Sequence, residues 1–257
     1  MTYVRLVRAA RFDEGRACAV YKAAEAAAFA PPSDERPRGA SESGCQLCAL
    51  ASTFPELADA SASTGLYQAL GREKVAVYDA VHARILEDGD FNGLKPVSVI
   101  LEYQPYGAFS SLALAFACRG PCYALEGDEL AGLLAYEQAC IDLARGRTER
   151  ALVGGYVTAE SAWLLLLDAA PGASLRGALR AGRLVDEANL LADVQDELDA
   201  RVRVVRAGER DAHAFAALVE ALGAAQGGKP AAAVASTPDG RVAVLGARSD
   251  TAQSDGS

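Results

Sequence analysis

The stretch that decides the fold of this chain is Arg119-Gly-Pro-Cys-Tyr-Ala-Leu-Glu-Gly-Asp-Glu-Leu-Ala-Gly-Leu133, which continues to Arg145-Gly-Arg-Thr-Glu-Arg-Ala-Leu-Val-Gly-Gly155. It places a Gly-Pro turn before a short strand, then a helix, a polar turn and an apolar strand that ends in Gly-Gly. Glycine beside proline marks a turn, and a short continuous apolar run is typical of a strand covered on both faces. The stretch therefore predicts a strand, helix and strand with the second strand buried.

The residues around this unit extend the same pattern. Apolar residues recur at helical spacing over 130–144, and Gly146 stands where a glycine would end that helix. Residues 162–167 form another apolar run of strand length. Residues 231–245 place Pro-Asp-Gly between two apolar segments, which indicates a hairpin. We therefore expect an α/β fold in which a mixed sheet is covered by helices on both sides.

The remaining segments are assigned from the spacing of their apolar residues. Strands are expected at residues 3–9, 45–53 and 97–101, and helices at residues 14–30, 65–88, 107–118, 175–198 and 211–222. We expect a single domain over residues 1–248. Residues 249–257 are polar and are expected to form a disordered tail.

The composition narrows the classes of function. The 257 residues are 51% hydrophobic, which is sufficient for one sizeable core. A formal net charge of -9 disfavours nucleic acid and anionic membranes as partners. Arginines interrupt the apolar residues at the N-terminus, and the longest apolar run is too short to cross a bilayer as a helix. We therefore expect a soluble, cytoplasmic protein that binds neither nucleic acid nor membrane.

The cysteines are Cys18, Cys45, Cys48, Cys118, Cys122 and Cys140. Without an export signal they are expected to be reduced thiols. The Cys45-x-x-Cys48 spacing raises zinc as an alternative. Because residues 45–53 are expected to form a strand, these two side chains would point to opposite faces and could not bind one ion. We expect no metal site and no cofactor, and we interpret the thiols as small apolar packing groups.

The order of turn, strand, helix and Gly-Gly strand resembles the N-terminal half of the thiolase-fold β-ketoacyl synthase family. Arg119 before the turn and the apolar strand at residues 161–168 add to this resemblance. When the family motif is laid on the chain from Gly120-Pro121 without a gap, the active-site cysteine falls on Glu129. A carboxylate cannot serve as the acyl-accepting thiol. The resemblance therefore implies a thiolase-like layered fold in a protein that does not condense by itself.

The histidines of this chain also differ from those of the family, as the active-site cysteine does. Condensing ketosynthases hold two catalytic histidines in glycine-rich loops of their C-terminal half. This chain has only His82 and His213, and neither has a glycine-rich setting. We interpret each as an ordinary histidine of a helix surface or core edge. The resemblance thus implies that the decarboxylating machinery is absent together with the nucleophile.

This combination resembles a truncated chain-length factor of type II polyketide or aryl-polyene-type synthases. The resemblance implies a non-catalytic partner of an active ketosynthase, which completes the dimer sheet, closes the acyl tunnel and meets acyl carrier protein through the complex. The implied interface strand comprises Cys122, Tyr123, Ala124, Leu125, Glu126 and Gly127. The candidate chain-length determinants are Phe54, Tyr78, Val81 and Ile85.

Other interpretations of the chain stay open at this stage. Glu129 can be an acidic residue that simply complements the positive end of a helix. The chain can also be an independent enzyme on a reduced thiolase-like fold, with Glu129 as general base toward an acyl thioester. A further alternative is a self-associating protein with no acyl ligand. The presence or absence of a partner ketosynthase separates these hypotheses.

Overall fold

The computed structural model describes residues 3–13, 16–22, 42–59, 62–71, 83, 107–158, 161–169, 175–208 and 212–249. The strands in these ranges are β1 (Tyr3–Asp13), β2 (Arg16–Tyr21), β3 (Thr64–Leu70), β4 (Cys122–Glu126), β5 (Arg150–Thr158), β6 (Ser161–Asp168), β7 (Leu175–Arg183), β8 (Arg203–Arg206), β9 (Ala231–Ser236) and β10 (Arg241–Ser249). The α-helices in them are α1 (Glu42–Ser52), α2 (Gly107–Ala115), α3 (Ala131–Ala144), α4 (Glu187–Leu198) and α5 (Phe215–Gln226).

The strands form one mixed, 10-stranded sheet with the order β4-β3-β5-β6-β1-β7-β10-β9-β8, and β2 pairs with β1. Strand β3 runs parallel to both β4 and β5, whereas β5, β6 and β1 are antiparallel neighbours. Strand β1 joins the two halves of the sheet because it pairs with β6 along most of its length and with β7 at Tyr3 and Val4. Strand β4 therefore forms one edge of the described sheet.

Helices and sheet alternate in layers separated by apolar clusters. The outer cluster holds side chains of α1 and α2, such as Leu50 and Leu112, against the half of the sheet that contains β3. The central cluster holds Leu133 of α3 and Leu218 of α5, packed between the two halves of the sheet. A third cluster packs Val194 of α4 on the half that contains β10. The expected mixed sheet with helices on both sides is confirmed.

Several sequence predictions are confirmed as elements, including α3, the hairpin of β9 and β10, and the strands β4, β5 and β6. Residues Ala162 to Leu167 of β6 are all buried, which explains why this strand is continuously apolar instead of alternating. No helix in the described ranges is long and apolar enough to cross a membrane. The predicted strand at 97–101 lies outside the described residues.

The prediction of a strand at residues 45–53 is wrong, because α1 covers this segment. Leu47, Leu50 and Phe54 recur three and four residues apart and lie in the outer apolar cluster, which is the pattern of a helix face. The geometric argument against zinc at Cys48 therefore fails, since residues three apart on a helix share a face. In the described part of the chain, no three metal-binding side chains are grouped.

Three further helix predictions are wrong in part. Residues 14–30 include β2, and residues 65–88 begin with most of β3. The predicted helix at 175–198 is split into β7 and α4, and β7 pairs with β10 from Leu175 to Arg183. Alanine, leucine and arginine favour helices in isolation, so strand pairing with distant segments decided these cases. Strand β8 was not predicted, and β10 extends to Ser249, which had been assigned to the tail.

Candidate functional site

The candidate site lies where β4 turns into α3. Gly127 follows β4, and its backbone N–H donates to the Leu70 carbonyl oxygen at 3.2 Å. A short 3-10 turn, Asp128–Leu130, then leads into the helix. Asp128 has a φ of 49°, in the left-handed region that few residues other than glycine adopt. This sharp turn places Glu129 at the start of α3.

Glu129 stands in a partly buried and incompletely paired environment. Its Oε2 atom is buried and accepts no hydrogen bond from the described residues. A buried polar atom without a partner costs about 1 to 3 kcal/mol. The start of α3 offsets part of this cost, since the helix dipole favours negative charge there. The turn therefore holds a carboxylate, with one oxygen uncompensated, at the position expected for the nucleophile.

His213 lies against the same turn and is buried, so of the two expected settings, a helix surface or the edge of the core, the first does not hold. The residue is 4% exposed, and its Nδ1 atom is 2.9 Å from the Asp128 carbonyl oxygen. A carbonyl oxygen only accepts, so Nδ1 is the donor in this bond. In the neutral ring Nε2 is then the unprotonated nitrogen. The fold thus brings His213 to the turn that contains Glu129, although the two residues are far apart in the sequence.

Two glycines make this approach of His213 possible. A Cβ atom on Gly132 would lie 2.1 Å from the His213 carbonyl oxygen. A Cβ atom on Gly155 would lie 3.2 Å from the His213 Cδ2 atom and 3.0 Å from the Ala69 carbonyl oxygen. Larger residues at either position would push the histidine away from the turn. The Gly-Gly pair, which lies inside β5 and not at its end as expected, is therefore a sequence signal that points to the site.

An ion-pair cluster attaches the hairpin of β9 and β10 to the turn. Arg241 places Nη2 2.7 Å from the Asp128 Oδ2 atom and Nε 3.0 Å from the Asp239 Oδ2 atom. The hydrogen bond to Asp128, followed by that to Asp239, raises the pKa of Arg241. A hydrogen bond from Thr237, supported by Arg241, lowers the pKa of Asp239. The cluster orients the hairpin tip toward the site, although exposed ion pairs add little stability.

The thiols of β4, α3 and the loop before β4 are poorly suited to accept an acyl group. Burial, together with the nearby Cys122, raises the pKa of Cys118 to about 11. Burial also raises the pKa of Cys122 and that of Cys140, the latter to about 12. The thiolate is the nucleophilic form of cysteine, so these side chains are almost entirely unreactive thiols at neutral pH. The raised pKa values therefore disfavour all three as nucleophiles.

The strand expected at the interface forms an edge of the sheet. In the described residues β4 pairs only with β3. Cys122 and Glu126 are exposed, and the residues between them are partly buried. Leu66 donates to the Pro121 carbonyl oxygen and Gly127 to that of Leu70. Because N–H groups alternate in direction along a strand, the Ala124 N–H points away from β3, toward the open edge.

The candidate chain-length determinants are only partly described. Phe54 is 4% exposed and lies in the outer apolar cluster, beside β3 and α2. Tyr78, Val81 and Ile85 lie outside the described residues, as does His82. Their assignment to an acyl tunnel stays a prediction. Phe54 therefore provides the accessible test of that assignment.

Comparisons with known proteins bear on the fold of the chain. No protein-family model and no curated protein matches the chain. The ishigamide ketosynthase/chain length factor matches with a TM-score of 0.66 at 14% identity, over 96% of this chain and 99% of that chain. A chain of the type II PKS complex AntDE:AntF, an acyl-carrier protein with its ketosynthase bound to the hexaketide, matches with a TM-score of 0.68 at 11% identity, over 96% and 99%.

A β-ketoacyl synthase from Burkholderia phymatum STM815 matches with a TM-score of 0.65 at 10% identity, over 97% of this chain and 100% of that chain. At identities this low, the three matches establish similarity of fold alone. The chain has the thiolase-like, layered α/β fold found in ketosynthases, which confirms the expected fold class. The turn that holds Glu129 accordingly lies within a ketosynthase-like architecture.

Proposed function

We propose that this chain is a non-catalytic, chain-length-factor-like partner of an active ketosynthase in type II polyketide or fatty-acid-like biosynthesis. In this role it completes a dimer sheet through β4, closes the far end of the acyl tunnel and meets acyl carrier protein through the complex. The observation that carries the proposal is the carboxylate of Glu129 on the turn after β4, in a ketosynthase-like fold. A carboxylate there cannot form the acyl thioester that condensation requires.

The open edge of β4 supports the pairing part of the proposal. An edge strand offers unpaired N–H and C=O groups to any strand that comes beside it, so proteins cover such edges or use them for association. The outward N–H of Ala124 lies at the centre of β4. A partner strand would pair with this group. A substitution at this edge should therefore disrupt pairing with the partner without disrupting the fold of the chain.

The test is co-expression with the ketosynthase encoded nearest to this chain, followed by native mass spectrometry. We expect a heterodimer for the unmodified chain. Ala124→Pro removes the outward donor, while the β3 hydrogen bonds at Leu66 and Gly127 stay intact, so we expect it to abolish the heterodimer. The matched control, Ala124→Val, keeps the donor and should preserve it. A chain that stays monomeric beside every such ketosynthase would refute the proposal.

A second candidate function is favoured by the position of His213. An independent enzyme with Glu129 as general base needs a second polar group at the site, and His213 lies against the turn that holds Glu129. This function predicts turnover of acyl thioesters by the chain alone. It also predicts that Glu129→Gln abolishes the turnover, whereas the non-catalytic role predicts no turnover by either protein. Thioester hydrolysis assays on the purified chain separate the two functions.

A further inference from the structure

The two ends of the described sheet differ in how their charged side chains are paired. At the β8 end, Arg203 donates to Glu220 at 2.6 Å and Arg206 pairs with Glu187, so both charges are neutralised within the chain. At the β4 end, Glu126 is exposed and is the only charged residue of the strand. Its carboxylate has no ion pair or hydrogen bond among the described residues. The open edge therefore carries one charge that the described chain does not neutralise.

The hydrogen bonds of β4 determine which of its residues would face a partner strand. Pro121 and Gly127, which flank β4, bond to β3, so the outward N–H and C=O groups belong to Cys122, Ala124 and Glu126. A partner of similar fold related by a two-fold axis brings its strand alongside in the antiparallel direction, because the rotation reverses the strand. Such pairing uses all three outward positions when it is centred on Ala124. The residue opposite Glu126 is then the partner's equivalent of Cys122.

A second copy of this chain would leave Glu126 without an opposite charge in that arrangement. The residue opposite would be Cys122, and burial raises the pKa of its thiol, which therefore stays uncharged near neutral pH. A carboxylate that loses water beside a neutral thiol gains no compensating charge. An opposite-charge pair directly across two strands, in contrast, contributes about 0.2 to 1 kcal/mol. A strand with a basic residue at this position therefore matches the edge better than a copy of the chain does.

We propose that Glu126 selects the partner of this chain, because it favours a strand that places a lysine or arginine opposite it and disfavours a second copy. The inference rests on the proposed function, since that function supplies a ketosynthase strand at β4. Specificity of this kind is a difference between two affinities, and a charge left unpaired in the wrong complex contributes to it. Complementary charges also accelerate the encounter with the correct partner. Glu126 therefore keeps the chain available for a heterodimer.

The first arm of the test gives a second copy the missing charge. Cys122→Lys places an ammonium group opposite Glu126 twice in each symmetric pair. Analytical ultracentrifugation of the full chain should therefore show self-association about tenfold tighter than for Cys122→Gln, the uncharged matched control. Adding Glu126→Lys to Cys122→Lys puts like charges opposite each other and should abolish this gain. Equal self-association of the two Cys122 variants would overturn the inference.

The second arm measures the heterodimer with the ketosynthase by surface plasmon resonance. Glu126→Gln removes the charge and keeps the shape, so we expect about threefold weaker binding and a smaller loss of affinity with added salt. Asp193→Asn removes an exposed charge from α4, on the other half of the sheet, and should change neither quantity.

The outcomes keep this inference separate from the proposed function. A heterodimer whose affinity and salt dependence are unchanged by Glu126→Gln would overturn the inference and leave the proposed function standing. If no heterodimer forms at all, the proposed function fails. The two Cys122 variants of the full chain alone then still decide whether Glu126 acts against pairing with a second copy.

Discussion

Tyr67 and Gln68 are neighbours on β3, both are fully buried, and they face opposite layers with opposite degrees of pairing. The Tyr67 hydroxyl donates to the Asp142 Oδ2 atom at 3.0 Å, and Arg147 reaches Asp142 Oδ1 at 3.1 Å. Gln68 has no such partner in the described residues. The two neighbours on β3 therefore differ: the hydroxyl of Tyr67 is paired within this chain, whereas the described residues supply no partner for the amide of Gln68.

The difference separates a polar group that stabilises the fold from one that does not. Burial, followed by the charge of Asp142, raises the pKa of Tyr67, so the hydroxyl remains a donor throughout the physiological range. A paired polar group of this kind fixes the position of α3 against β3. An unpaired one destabilises the isolated chain. The two faces of β3 should consequently respond to substitution with opposite signs.

The largest effect is expected from Asp142→Ala. This change leaves the buried Tyr67 hydroxyl without its acceptor and removes the partner of Arg147. We expect the free energy of unfolding to fall by about 3 kcal/mol, as when one member of a buried polar pair is removed. Urea denaturation measures the change. Tyr67→Phe is the milder companion, with an expected loss of about 1 kcal/mol. If Asp142→Ala lowered the unfolding free energy by less than about 1 kcal/mol, the structural role of the hydrogen bonds among Tyr67, Asp142 and Arg147 would be contradicted.

A smaller effect of opposite sign is expected from Gln68→Leu. Leucine fills a similar volume and has no polar group to leave unpaired, so we expect the isolated chain to gain about 1 kcal/mol in unfolding free energy. The same urea experiment checks this. Destabilisation instead would mean that the amide already has a partner inside the chain. The contrast between the two faces of β3 would then disappear.

The sequence contained much of the fold but little of the site. Local patterns were sufficient for β4, α3, β5 and β6, because each has a continuous apolar run or a clear helical stripe. They were insufficient for β3, whose residues are all buried and whose sequence reads equally well as a helix. Pairing with β4 and β5, which lie far along the chain, decided its structure. Because β3 was expected to be part of a helix, the sequence alone could not show that Gln68 lies between two neighbouring strands.

His213 illustrates the same limit at the site. The residue is separated by 85 positions from Asp128, whose carbonyl oxygen it contacts. Its own neighbours in the sequence form no glycine-rich loop that marks a site. The informative residues were Gly132 and Gly155, which leave space for it. Glu129, in contrast, could be proposed from the sequence, because the family motif can be laid on the chain without a gap from Gly120-Pro121.

Product length tests the central claim most directly, since the claim is that this chain limits an acyl chain grown by its partner. Phe54 lies in the outer cluster with no more than 4% exposure, so Phe54→Ala should open space there, and Phe54→Leu should open less. Both variants are combined with the same ketosynthase and carrier protein, and products are sized by mass spectrometry. The account predicts longer products with Phe54→Ala and an intermediate shift with Phe54→Leu. Unchanged product length in both variants, with the heterodimer intact, would contradict it.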